Sequence, residues 1–317
     1  MTKGHFLWPE ASRRATLAGL AKPVAVDYVE NLFAQLFPSG HPVLCSSARA
    51  ALVLALRYIK VSRSDFVGVF PFASHCVLDA VSRCATPSCS ALHADNDLFA
   101  RVIYHQWGFA QNQPAEVNTI EDAVDTLCVP NTQLFPSGGM FELWSLPKIL
   151  GTSSGGILWC KDPDTAKEVR KMRGEQGGGC LVYALRLFGT KHHAARLLWQ
   201  GIEPSAGNLS RWQAGEILTA VKQLDKIVSD RREKLDFMLP QLVGWLEKPK
   251  DRLPPVVPVQ IKWSGENLNR YGLRAGYRHF EHIGSDLSRS LIRVLPIPIH
   301  QCVSMSWLHS VKDALCR

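Results

Sequence analysis

The sequence has no CxxC pair, no apolar run long enough to span a bilayer, no internal repeat and no low-complexity tract. Its nine cysteines are an odd number, scattered from Cys45 to Cys316. Without paired spacing they argue against a zinc site or a redox motif, and thiols of this kind fit a reducing cytoplasm. The first residues, MTKGHFLWPEASRR, lack the apolar core of a secretory leader. The expectations are therefore a cytoplasmic location, no membrane insertion and no metal centre. Charge of one sign is not concentrated either. There are 36 Lys and Arg against 28 Asp and Glu, a net charge of +8, yet the densest run, 229-SDRREK-234, mixes signs and reads as a solvated helix face. The excess attracts anions, phosphorylated small molecules among them. A nucleic-acid partner is not expected, because no basic stripe is present.

Strand and helix signals alternate through the first two thirds of the chain. The segment 47-SARAALVLALRYIK-60 is a helix capped by Ser46 or Ser47. Strands are predicted at 66–72, 117–122 and 155–160, the last running into 161-KDPD-164, where Asp162 caps a helix over 163–176 and Pro163 takes its first position. Continuous apolar strands between helices imply an α/β fold with a mainly parallel sheet. One long helix is expected from 210 to about 230, with Ile217, Val221, Leu224 and Val228 on one face, and Pro240 interrupts its continuation. A strand over 252–263 and a terminal helix with Trp307, Leu308, Val311 and Leu315 complete a smaller α+β domain. The expected division is 1–205 for a large domain with an N-terminal arm and 206–317 for the small one.

Three short stretches carry candidate chemistry. In 45-CSSARAAL-52, small hydroxyl residues lead into a helix N-terminus, where exposed N–H groups and the dipole favour an anion; serines also cap helices with no ligand present. In 119-TIEDAVD-125 a strand ends in Glu121 and Asp122, at the edge where parallel sheets bind ligands, although a turn can also solvate two acids. In 141-FELWSLPKILG-151 a single lysine, Lys148, sits in an apolar run. It is either a nucleophile of the Schiff-base type or a loop lysine with its stem along apolar surface. Lesser signals are His105, placed after a strand and facing the same cleft, the glycine run 174-GEQGGG-179, which follows a helix and so fails the dinucleotide fingerprint, and a solvated His192–His193 pair. Taken in order, these parts meet the needs of pyridoxal phosphate: an anion site, a flat group against the ring, an acid for the pyridine nitrogen and a lysine for the aldehyde.

The chain resembles the DegT/DnrJ/EryC1/StrS family of sugar aminotransferases, which use pyridoxal phosphate and have the aspartate aminotransferase-like fold, fold type I. The similarity runs from about residue 20 to the end. SSARAALVLAL is similar to the family's phosphate loop and helix, 70-FPFASHCVLDAVSRCATP-87 to the segment bearing the ring-stacking residue, IEDA (120–123) to the Glu-Asp-Ala motif, LPKILGTSSGGILWC to the lysine loop and Gly-Gly strand, and AGNLSRWQAGEIL to the Gly-Tyr-Asn segment. The resemblance implies Lys148 and Asp122 as catalytic. It further implies Ser46, Ser47, Ala48, Arg49, His75, Asp122, Ala123, Asp125, Ser145, Lys148 and Asn208 as cofactor-binding, with Asn208 reaching the neighbouring subunit of a homodimer with shared sites. It implies an amino-acid donor such as glutamate and a keto acceptor on a nucleotide-linked sugar, in polysaccharide or antigen biosynthesis. The departures are Ala48 and Arg49 where Gly and Thr are usual, Asp125 for Gln or His, Leu143 for a Ser that Ser145 replaces, and Ser210 for an Arg. A sugar dehydratase of the same fold would carry histidine in place of Lys148. A non-catalytic or regulatory protein retaining the fold is the other alternative.

Overall fold

The structure is a computed structural model that describes residues 6–89, 98–111, 118–177, 179–189, 192–202, 207–241, 249–260, 272–273, 276–283 and 289–315. Its centre is a seven-stranded sheet in the order β1-β8-β7-β5-β4-β2-β3. The strands are β1 (His41–Cys45), β2 (Phe66–Val69), β3 (Thr86–Cys89), β4 (Ala100–Tyr104), β5 (Thr119–Asp122), β7 (Phe141–Ser145) and β8 (Gly156–Cys160). Strands β7, β5, β4, β2 and β3 are mutually parallel, and β8 runs antiparallel to both β1 and β7. The expected α/β fold with a mainly parallel mixed sheet is therefore present.

Both faces of the sheet are covered. One face carries Val43, Val67, Val102, Ile120, Leu143 and Leu158, packed on helices α3 (Ala48–Tyr58), α4 (His75–Ser82) and α6 (Pro163–Gly174). The other carries Leu44, Trp144, Ile157 and Trp159, packed on α2 (Val26–Leu36), α9 (Arg211–Val221) and α10 (Leu224–Met238). Helix α1 (Arg13–Ala21) lies against α9, where a Cβ on Gly19 would come 2.5 Å from the Glu216 nitrogen. A three-stranded antiparallel sheet, β10-β12-β11, joins Val256–Val259, Arg289–Pro298 and Arg278–Ile283. The short strand β6 (Leu127–Cys128) pairs with β9 (Arg252–Leu253), and α11 (Met305–Leu315) ends the chain's described part. One apolar cluster runs from Leu44 and Trp159 to Val257, Ile297 and Leu308.

Local signals place most boundaries. Ser47 caps α3 by accepting from the Ala50 N–H at 3.1 Å, and Asp162 caps α6 by accepting from the Thr165 N–H at 2.7 Å, with Pro163 in the first helical position. The expected long helix from 210 is two helices. A capping box of Ser210 and Gln213 opens α9, and the chain breaks at 222–223 before α10 begins. Neither Lys222 nor Gln223 is a helix breaker, so the apolar periodicity passes through the break unmarked. The expected strand over 252–263 is two short strands parted by Pro254 and Pro255, and its residues beyond 260 lie outside the described residues. The lysine segment is not a plain loop: it is strand β7 followed by a single helical turn, α5 (Leu146–Leu150), closed by Gly151 at φ +71.

Two long-range constraints hold this centre. Buried Glu142 accepts from Arg252 at 2.9 and 3.1 Å, from Trp144 Nε1 at 2.7 Å and from the Phe135 N–H at 2.7 Å. Burial alone would raise the Glu142 carboxyl; the Arg252 charge and these donors outweigh it and hold it below the usual range. At Gly156 the backbones of β8 and α3 meet so closely that a Cβ would lie 2.3 Å from the Ala48 nitrogen and 2.4 Å from the Ser47 carbonyl carbon. A Gly156→Ala substitution must push α3 off the sheet, and overpacking of this kind costs roughly 1–3 kcal/mol. The urea midpoint of Gly156→Ala falls accordingly, and an unchanged midpoint contradicts this packing.

Candidate active site

The alternation of side chains along a strand decides what faces the ligand edge. On β4, β5 and β7, Val102, Ile120 and Leu143 point toward α3 and α4. Two residues on, at the carboxyl ends of the same strands, Tyr104, Asp122 and Ser145 take the same direction. The intervening residues point the other way. Thus Glu121 accepts from the Gly139 and Ser137 N–H groups at 2.7 and 2.9 Å and contacts His105 Nε2 at 2.7 Å. His105 is fully buried and accepts from the Gln111 N–H through Nδ1 at 3.1 Å. The expectation that His105 faces the cleft is therefore wrong by one residue of strand register, and of the two acids only Asp122 reaches the cavity.

That cavity, of about 340 Å³, is lined by Asp122, Lys148, Tyr104, Val124, Gln106 and Trp107 on the sheet side. Phe72, Ser74 and Val77 close it from the start of α4, Leu7 and Trp8 from the N-terminal arm, and Tyr277, Arg278 and His279 from β11 and the residue before it. Phe72 and His279 stack face to face, their centroids 3.8 Å apart with planes 9° from parallel. Lys148 projects from α5 with Nζ 4.4 Å from the centre of the Trp8 ring. Asp122 accepts from the Val124 N–H at 3.1 Å. Burial pushes its carboxyl up to about 7; the Lys148 charge works against that rise and Asp125 adds to it. Asp125 is fully buried behind this wall, where it accepts from Tyr104 Oη at 2.7 Å and the Trp107 N–H at 3.2 Å. Desolvation raises Asp125 as well, against Lys148, and raises Tyr104 well above its ordinary value.

The remaining sequence-derived residues lie around this centre. Ser46 and Ser47 are buried at the turn from β1 into α3, where the Ser46 N–H donates to Gly207 O at 3.0 Å and Ser46 O accepts from the Gly155 N–H at 2.9 Å. Ala48 and Arg49 open α3, and the Arg49 side chain is turned to Cys76 Sγ at 3.2 Å and Asp79 at 3.6 Å. His75 begins α4, is exposed and contacts Cys76 Sγ at 3.4 Å; its neighbour Ser74, not His75, lines the cavity. Ala123 is buried, with its N–H on Leu143 O at 3.1 Å. Ser145 ends β7 opposite Gly156, on the same face as Leu143, and its hydroxyl bonds no described residue. Asn208 is half-buried beside Gly207 and meets Gly179, whose Cβ would come 2.4 Å from Asn208 O. Of the glycine run, Gly174 ends α6 and Gly179 begins the next helix, Gly179–Gly189. His192 and His193 are exposed as expected. Trp8, Arg278 and His279 carried no motif, and Phe72, Gln106 and Trp107 lie in matched or motif-like segments without having been singled out. Each reaches the cavity through tertiary packing, which no local spacing records.

The donor set fits pyridoxal phosphate. One lysine and one buried carboxyl that burial keeps ready to take a proton face a single apolar cavity. The positive end of α3 and the Ser145 hydroxyl lie at the adjacent strand ends. In the ligand-free protein the raised Asp122 carboxyl has a signature in stability. Protons are bound more tightly in the folded state between the ordinary 3.8 and about 7, so stability falls as pH rises through that window, by about 4 kcal/mol for a shift of this size. Asp122→Asn removes this component. Urea unfolding shows the variant gaining on the wild type from about pH 4 to about pH 7; parallel pH curves contradict the buried carboxyl.

Comparison with known proteins agrees. Residues 29–258, over half the chain, match the model of the family described as "Putative PLP-dependent aminotransferase". No curated protein sequence matches. Among solved structures, the aminotransferase TlmJ from Streptoalloteichus hindustanus aligns with TM-score 0.65 at 17% identity, over 98% of this chain and 97% of that one. The sugar aminotransferase CalS13 from Micromonospora echinospora gives 0.63 at 16% identity, over 98% and 99%. NtdA from Bacillus subtilis, with bound cofactor PMP, gives 0.67 at 13% identity, over 100% and 85%.

Proposed function

The chain belongs to the PLP-dependent aminotransferase family, and we propose that it transfers an amino group from an amino acid to a keto sugar, in the nucleotide-linked form. The carrying observation is that Lys148 and Asp122 face one cavity at the carboxyl edge of the parallel strands. When bound, pyridoxal phosphate supplies an aldehyde that captures amines and a ring that delocalises the electron pair left when a proton departs from the adjoining carbon. Asp122 would hold the proton at the pyridine nitrogen. A carboxylate at contact distance stabilises that cation by roughly 1–3 pKa units, and the bonded pair in turn relieves the burial of the acid. Lys148 Nζ would be the base that takes the donor's α-proton and returns it to the carbon that bore the aldehyde. Leu7, Trp8 and Phe72 line the apolar side of the cavity beside this exchange.

Several assignments rest on the resemblance and take support from placement. Ala48, Arg49 and the buried pair Ser46 and Ser47 present the helix end to the phosphate, and Ser145, on the Leu143 face of β7, supplies the hydroxyl that Leu143 lacks. His75 is assigned to the ring side through its position at the start of α4. Asn208 is assigned to a shared site in a homodimer, for which the exposed apolar residues of α7 (Gly179–Gly189) and α8 (His193–Ile202), Leu181, Phe188, Leu197 and Leu198, offer an interface. The net charge of +8 suits a diphosphate-bearing acceptor in a cytoplasmic biosynthetic pathway.

Arg278 is the further group assigned here. Among the described residues it pairs with no carboxylate, and its guanidinium donates to Tyr277 O at 3.0 Å. On the cavity wall it would receive the donor's carboxylate. The test is the first half-reaction: the cofactor-loaded protein mixed with L-glutamate, L-glutamine and L-alanine loses its visible absorbance as the amine form accumulates. Arg278→Met raises the half-saturating donor concentration by about 10- to 100-fold, the value of a charge-assisted hydrogen bond, and leaves cofactor affinity unchanged. A wild-type protein converted by none of these donors, and able to aminate no keto sugar nucleotide, refutes the proposed function.

A further inference from the structure

The N-terminal arm is tied down at two points around the lysine. His300 Nε2 contacts Phe6 O at 2.9 Å, and the Ser12 N–H donates to Gly151 O at 2.8 Å, at the residue that closes the turn bearing Lys148. A side chain at Gly151 would crowd the arm, since a Cβ would come 3.0 Å from Glu10 O, and its φ of +71 disfavours one. Between these anchors the arm passes over the cavity and half-buries Trp8 in its wall. The Lys148 ammonium forms no ion pair with a described residue; the nearby acids, Asp122 and Asp125, are buried and are bonded to backbone N–H groups or Tyr104. What meets the ammonium is the face of the Trp8 ring, 4.4 Å away. An ammonium over an indole is a favourable geometry, because the ring presents its negative face to the charge.

We propose that Trp8 is a positioning residue: before the cofactor arrives, its indole face holds the Lys148 ammonium inside the cavity, so that the amine is delivered beside Asp122 rather than turned to solvent. The arm is then a working wall of the site. Nothing in the lysine's own segment supplies this, since its flanking residues, Pro147 and Ile149, are apolar. Lys148 Nζ would add to the aldehyde with release of water, and the contact that retains the amine keeps it at the place of that addition.

The test uses the full chain without cofactor. Wild type, Trp8→Phe and Trp8→Leu are labelled with a limiting amount of acetic anhydride at one fixed pH, and the acetylation of Lys148 relative to the other lysines is read by peptide mass spectrometry. Trp8→Leu keeps an apolar wall and removes the ring; its Lys148, no longer held in the cavity, is acetylated about 2- to 30-fold more. Trp8→Phe, which keeps a weaker ring, gains less. Trp212→Phe, an exposed tryptophan on α9, serves as the control and does not change. If all yields coincide, or if the leucine and phenylalanine variants gain equally, Trp8 only packs the arm and the inference fails. Should Trp8→Leu not fold, the comparison of Trp8→Phe with wild type decides on the same criterion. No turnover and no cofactor enter this measurement, so its outcome is separate from that of the amino-transfer test.

Discussion

The site depends on one electrostatic constraint: a carboxyl, Asp122, is buried at the end of a central strand with another buried acid, Asp125, close by and a single lysine to offset them. Burial alone makes the charged form of Asp122 costly. The strand cannot relieve it, because its side-chain direction is fixed by Ile120 in the core two residues earlier. The adjacent backbone offers one donor, the Val124 N–H. In the proposed function a cationic ring nitrogen in the cavity would complete the balance, so that cofactor binding and folding would draw on the same interaction.

The rest of the structure can be read as what brings Lys148 to that carboxyl. Strand β7 lies beside β5, so their carboxyl ends are neighbours, and the turn α5 begins where β7 stops. Strand β8 returns antiparallel along β7 and holds Gly156 against the backbone of α3, which seats the positive end of that helix next to Ser145. Beneath them the buried pair of Glu142 and Arg252 ties β7 to β9 and the loop at Phe135. Removing either partner would strand the other charge, a situation that costs far more than the pair contributes. Rigid supports of this kind keep a one-turn helix, too short to be stable alone, in a fixed place.

Much of the centre was legible in the sequence because it is marked locally. Ser47, Asp162 with Pro163, and Pro240 each act within a few residues, and the structure places helix limits at or beside them. Asp122 was legible as one of two acids that end a strand, and Lys148 as a cation in an apolar run. What was not legible depended on distance or on register. The direction of β8 could not be read from GILWC, because a strand buried on both faces looks the same whichever way it runs. The break at 222–223 leaves the apolar spacing intact. His105 was misassigned by one position, and one position turns a strand residue to the opposite face. Trp8, Arg278 and His279 enter the cavity from parts of the chain far from Lys148 in sequence, so their roles exist only in the fold.

The central claim is that Lys148, opposed by Asp122, is the covalent anchor of the cofactor. Its most direct measurement is borohydride reduction of the protein loaded with pyridoxal phosphate, followed by peptide mapping. The expected result is a protein that absorbs in the visible before reduction and carries one reduced pyridoxyl group afterwards, on Lys148. A protein that takes up no cofactor, or a label found on another lysine while Lys148 is unmodified, contradicts it.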